Sequence, residues 1–209
     1  MSKISLPLLI ICLLPGCAFL HQSPPPAVYD LGIPSTIHVR QSAQPSPLRN
    51  KSLLVAETGA PTWLDTTAIH YRLLYHNPAQ SYAYANSRWI ATPAALLTQQ
   101  LRNRIAATTQ EHIIKDNSMA AADHVLHTEL QEFSQLFDTA SDSRIVIGLR
   151  ASLVERNTRR VLAQKDFSIT KKTPSADAVG AVSALSAANG QLLDELVDWL
   201  SAALLPNQP

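Results

Sequence analysis

The strongest chemistry in this sequence lies in two early cysteines, Cys12 and Cys17, and in a few histidines and carboxylates farther on. A thiol can be a nucleophile, a metal ligand, a disulfide partner or an acyl acceptor, and its surroundings decide which. His124, His127 and Glu129 come nearest to a metal constellation. On a strand, positions 124 and 127 point to opposite faces and cannot share an ion; only a helix would bring them together. No metal site is therefore expected there. His70 and His76 flank an apolar strand and read as strand-edge or hydrogen-bonded core residues rather than general bases. The sequence contains no G-x-S-x-G and no H-E-x-x-H, and its six glycines form neither G-x-G-x-x-G nor G-x-x-x-x-G-K-[ST]. Hydrolase, zinc and nucleotide-binding signatures are thus missing, and neither catalytic residues nor a cofactor are expected.

The surroundings of Cys17 are specific. Lys3 supplies one positive charge, Ile4 to Leu14 form an apolar run, and Leu14-Pro15-Gly16-Cys17 follows. A bilayer-spanning helix needs roughly 20 apolar residues, and this run has about eleven. It has the layout of a signal peptide. A small residue directly before the cysteine resembles a bacterial lipobox. That resemblance implies cleavage between Gly16 and Cys17, diacylglycerol on the thiol and lipidation of Cys17 as the first residue of the mature chain. Palmitate and related acyl chains would then anchor the protein, since two or more chains hold stably where one is marginal. Ala18 follows, not the Asp that commonly retains such proteins at the inner membrane, so the outer membrane is the expected site. With Cys12 removed and Cys17 acylated, no disulfide remains.

The elements beyond the anchor follow from periodicity. Residues 17 to 26 form the lipidated cysteine and a Pro-rich tether, and residues 27 to 209 are expected to form one domain. Hydrophobic residues make up 46% of the chain, too much for a wholly disordered protein. Beyond residue 16 the charges cancel, which argues against a nucleic-acid partner. Short strands are predicted at 27–31, 52–57, 68–75 and 82–90, with a polar loop from Gly32 to Asn50. Thr92 and Pro93 then start a helix whose apolar stripe is Ala94, Leu97, Leu101 and Ile105. Strands follow at 112–115 and 124–137. The cleanest alternation, Ile145, Ile147, Leu149, Ala151 and Leu153, lies in the strand 144–155, which pairs as a hairpin with 161–170. A long C-terminal helix is predicted from a cap at Thr173 or Ser175 to Pro206, its half rich in Ala and Ser able to lie close on a sheet. The expected fold is α+β: a mixed or antiparallel sheet with a central helix and a long C-terminal helix packed on it.

Charge is distributed in blocks. Residues 111–142 sum to −6 and residues 143–172 to +6. Opposite charges facing each other across neighbouring strands explain this structurally. A basic patch for anionic headgroups, from Arg150, Arg156, Arg159, Arg160, Lys171 and Lys172, is the functional alternative. Asp194, Glu195 and Asp198 read as the solvated side of the last helix.

The segment Tyr82-Ala-Tyr-Ala-Asn-Ser-Arg-Trp89, with Thr92-Pro93 and Leu97 after it, resembles the ABC-type transport auxiliary lipoproteins, the family of PqiC-like intermembrane transport lipoproteins. Tyr29-Asp30-Leu31, Tyr71-Arg72 and Trp199-Leu200 fit the same pattern, so the likeness runs from about Ala27 to Leu205. The polar stretch near residues 34 to 50 and Ile90-Ala91-Thr92 depart from it. The resemblance implies a non-enzymatic outer-membrane lipoprotein facing the periplasm, an accessory of an ABC lipid-transport system. Its implied partner is a periplasmic substrate-binding protein of the MCE type, with a second copy of the chain as a further partner. A freestanding structural or assembly lipoprotein of the envelope is the alternative. Simple alternation places Tyr82, Tyr84 and Arg88 on one face of their strand and Trp89 on the other. The first three are then either sheet packing or an exposed partner interface, and Trp89 is expected to be buried.

Overall fold

The computed structural model describes residues 25–32, 52–108, 112–115 and 122–204. The stretches predicted as signal peptide and as polar loop after Gly32, together with Cys17, most of the predicted tether and Pro206, lie outside these residues.

One long strand organises the sheet. Leu-, Val- and Ile-rich alternation runs through β6 (His124–Phe137) and β7 (Ser143–Glu155), which pair antiparallel along their whole length from His124↔Glu155 to Phe137↔Ser143. The turn Arg156 to Arg160 returns the chain as β8 (Val161–Lys172), antiparallel to β7. On the other edge of β6 the sheet forks. β2 (Ser52–Val55) pairs parallel with His124 to Leu126, and β3 (Ala68–Leu73) pairs parallel with Ser134 to Phe137. A single bridge, Gly59↔Glu129, sits between the two branches. β5 (His112–Lys115) extends the first branch beside β2. β4 (Ser81–Trp89), antiparallel to β3, and β1 (Ala27–Tyr29), parallel to β4, extend the second.

Two helices cover one face. α1 (Pro93–Thr108) starts where Thr92 Oγ1 accepts the Ala95 N–H at 3.4 Å, with Pro93 in the first turn. α2 (Ala178–Leu204) lies over β7 and β8. Its start differs from expectation. Asp177 is the cap, accepting the Gly180 N–H at 2.7 Å, whereas Thr173 is buried and turned back to Ser143. Ala181, Ala184 and Ala188 are buried and let the helix approach the sheet, while Leu185, Leu192, Leu196 and Leu200 fill the space between. Beneath them lie Ile145, Ile147, Leu149, Ala151 and Leu153, each fully or nearly fully buried, as their alternation predicts.

The buried hydroxyls where α1 meets the sheet are hydrogen-bonded, which fixes the helix in place. Thr98 Oγ1 accepts the Thr58 N–H at 2.9 Å and donates to Ala94 O, and the Thr58 and Thr128 hydroxyls lie 2.8 Å apart, all buried. Arg102 donates to Val55 O at 2.7 Å and to Glu57 at 2.9 Å, closing the end of β2. The charge blocks resolve into cross-strand rows. Glu129, Arg150 and Asp166 are neighbours across β6, β7 and β8, and Arg150 grips Asp166 with two bonds of 2.7 and 3.2 Å.

Candidate functional site

The tyrosines of β4 do not form the stripe that simple alternation gives. The pairing of β3 with β4 shifts between Ala68↔Arg88 and His70↔Ala83, so β4 carries extra residues there. Such a bulge reverses which face the following side chains take. Tyr82, Tyr84 and Trp89 therefore all lie on the helix side. Trp89 is buried with its ring edge-on to Phe133 at 5.7 Å, as expected. Arg88 is exposed and lies in register with Ala68, away from the tyrosines. Ala83 and Ala85 are exposed on the other face and carry no helix.

Tyr82 and Tyr84 are half-buried in an aromatic cluster. Tyr71 stacks on Tyr82 at 5.3 Å and packs on Tyr84 at 4.7 Å and Phe137 at 5.6 Å. A chain of hydrogen bonds runs inward from it. Tyr84 donates to Gln135 Oε1 at 2.7 Å, Gln135 Nε2 donates to Ser143 Oγ at 2.8 Å, and Ser143 Oγ lies 2.6 Å from Thr173 Oγ1. Gln135 is fully buried, so this chain supplies its polar partners. Burial, reinforced by Tyr71 and Asp177, pushes the Tyr84 phenol well above its ordinary pKa.

A second feature joins β1 to both helices. Gly32 has φ +79°, a left-handed conformation that glycine adopts without strain. It turns the chain after Leu31 so that Leu31 O accepts from Ser186 of α2 and Gly32 O accepts from Gln100 of α1 at 3.1 Å. Asn189, buried in α2, donates to Gln100 Oε1 at 2.5 Å. Beside this junction runs a groove of about 620 Å³ between the helices, crossed by the 3.3 Å Arg104–Asp194 ion pair. Sequence reasoning missed Gln100, Ser186 and Asn189. The readable signal was Asn189, a polar residue at a position where the helical stripe demands an apolar one.

The histidines behave as the strand geometry requires. His124 is buried and His127 exposed, on opposite faces of β6. Among the described residues no three His, Cys, Asp or Glu side chains converge on a common point. His70 packs edge-on to Trp63 at 5.8 Å with Nε2 3.3 Å from Thr66 Oγ1, and burial lowers its pKa. Asp194, Glu195 and Asp198 are exposed. No helix among the described residues is long and apolar enough to cross a membrane.

A forked mixed sheet with two helices on one face, polar chains that tie its parts together and a groove between the helices define an α+β sheet-and-helix domain by class. The comparisons make this specific. Residues 29–197 match the family model of the ABC-type transport auxiliary lipoprotein component, and the chain belongs to that family. No curated protein matches the sequence. Among solved structures, protein XCC0632 from Xanthomonas campestris superposes with a TM-score of 0.70 at 22% identity, covering 85% of this chain and 95% of that one. The hypothetical protein CT253 from Chlamydia trachomatis gives 0.54 at 11% identity, covering 75% and 99%. These likenesses establish the fold. The family makes the chain an auxiliary lipoprotein of the envelope that serves an ABC transport system.

Proposed function

We propose that the protein is cut between Gly16 and Cys17, acylated on Cys17 and held on the periplasmic face of the outer membrane. There the domain from residue 27 onward docks the MCE-type periplasmic substrate-binding protein of an ABC lipid-transport system, without catalysis and without a cofactor. The observation that carries this reading is the family match over residues 29–197 in a chain that also bears the apolar run and Gly16-Cys17 junction of a lipoprotein signal. Ala18 supports sorting to the outer membrane. The partner surface proposed is the rim of the aromatic cluster, where Tyr82 and Tyr84 present half-exposed rings on a framework locked by Gln135. Tyrosine suits such a role because it offers large contact area at little entropic cost. Arg88, on the opposite face, lies outside that rim.

Labelling with radioactive palmitate tests the anchor. The parent chain should take up label and sediment with outer-membrane density, and Cys17→Ala should remain unlabelled, uncut or released. Label in Cys17→Ala, or none in the parent, overturns the anchor.

A further inference from the structure

We propose that the domain rests on the membrane through the edge where β1 enters the sheet, with Val28, Ile90 and Val179 seated among the lipid headgroups and Arg88 meeting their phosphates. The inference rests on the Cys17 anchor for its geometry.

Isolated exposed hydrophobic side chains are ordinary, and clustering is what distinguishes this surface. Six large hydrophobic residues are exposed among those described, and two of them, Val28 at 48% and Ile90 at 64%, meet here, with Val179 at 60% on the helix that borders them. Val28 and Ile90 line one shallow depression of about 410 Å³ together with Val182, and Val179 precedes Val182 by three residues on α2, on a neighbouring part of the helix surface. The main chain holds the two strand residues together, since the Ile90 N–H donates to Tyr29 O at 2.7 Å.

The occupant follows from where the anchor attaches. Residues 18–26 separate Cys17 from Ala27, the first residue of β1. A fully stretched chain gains at most about 3.6 Å per residue, so that leash cannot exceed roughly 32 Å. β1 is the outermost strand of its branch and β8 lies at the opposite edge of the sheet. The β1 edge is thus the part of the domain tied most closely to the bilayer. A short tether raises the local concentration of its two ends, so even a small apolar patch can engage. Arg88 is exposed and pairs in register with Val28. The Asp30 carboxylate, a negative charge at the same rim, accepts the Gly32 N–H at 2.8 Å, and Asp177 is exposed two residues before Val179, so the contact rests on the apolar side chains more than on net charge.

The test places an environment-sensitive fluorophore on single cysteines introduced as Val28→Cys, Ile90→Cys or Val179→Cys, with Val161→Cys at the far edge as the control. Each acylated full chain, whose Cys17 thiol is consumed, is reconstituted in phosphatidylethanolamine–phosphatidylglycerol vesicles carrying nitroxide-labelled lipid. A parallel set replaces residues 1–17 by a histidine tag and is held on nickel-chelating vesicles of the same lipids. Side chains of an interfacial element sit about 5–10 Å into the headgroup boundary, so positions 28, 90 and 179 should be quenched several-fold more than position 161 in both sets. Equal quenching at all four positions overturns the proposal. Shielding at 28 and 90 that rises with protein concentration in detergent, without lipid quenching, also overturns it and makes the patch a contact between copies. If only the tagged set binds vesicles and shows the expected pattern, the membrane-facing edge stands and the Cys17 anchor fails.

Discussion

Replacing Tyr84 by Phe removes a single oxygen atom and should cost more than its size suggests. Gln135 is fully buried, and its Oε1 accepts from the Tyr84 hydroxyl at 2.7 Å. Without that donor the amide oxygen stays desolvated and unpaired, at a cost of about 1–3 kcal/mol. For a domain of this size each kcal/mol moves the midpoint by about 2–4 °C, so Tyr84→Phe should melt roughly 2–12 °C lower. Tyr82→Phe, which keeps the stacked ring, should stay within about 0.5 kcal/mol. Gln135→Leu in the Tyr84→Phe background removes the orphaned oxygen, so the two changes should couple by about 0.5–3 kcal/mol. Alkaline pH gives an independent reading. The Tyr84 pKa is raised in the folded state, so its contribution is intact below the unfolded value of about 10 and is lost as pH rises above it. The parent should therefore lose stability more steeply above about pH 10 than Tyr84→Phe does. Thermal and urea unfolding from pH 7 to 11 measure both effects. Unchanged midpoints for Tyr84→Phe, strict additivity with Gln135→Leu and identical alkaline limbs would refute the buried hydrogen-bond chain.

Two glycines of α2 should respond oppositely to alanine. A Cβ on Gly180 would collide with the Ser175 carbonyl oxygen, which cannot yield easily, so Gly180→Ala should destabilise by about 1–3 kcal/mol. Nothing lies within 4 Å of the Cβ position at Gly190, so Gly190→Ala should gain about 0.5–1 kcal/mol in urea unfolding. Asp177→Ala should cost about 0.5–2 kcal/mol as a lost cap. The Gly180 N–H, and then the Ser175 hydroxyl, hold the Asp177 carboxyl below its usual range. That electrostatic part is present above the unfolded pKa of about 3.9 and disappears as pH falls through the lower folded value, so the parent's advantage should shrink in acid.

The legible part of the fold was the part set by local pattern. Ile145 to Leu153 alternate without interruption because β7 is paired on both edges and covered on one face, and all five residues are buried as predicted. Thr92-Pro93 marked the start of α1 for the same local reason. β4 was different: no Gly or Pro marks its bulge, which arises from how β3 pairs with it, so the faces of Tyr82 and Tyr84 relative to Trp89 came out reversed. Thr173 looked like a helix cap, but its hydroxyl is engaged by Ser143 across the end of the hairpin, a contact that local sequence does not reveal. The same holds for Gln100, Ser186 and Asn189, whose partners lie 68 to 155 residues away. The parallel pairing of β1 with β4 likewise depends on topology rather than on either strand's own sequence.

If this lipoprotein meets its transport system through the aromatic rim, a transport component must lie against Tyr82. A photoreactive amino acid at Tyr82, in the acylated full chain in intact envelopes, tests it most directly. Irradiation followed by affinity isolation and mass spectrometry should recover a covalent adduct with an MCE-type periplasmic protein, and the permease and ATPase should co-isolate without crosslinking. A folded, acylated protein that yields no adduct at Tyr82 and isolates without any transport component would rule out docking through the rim.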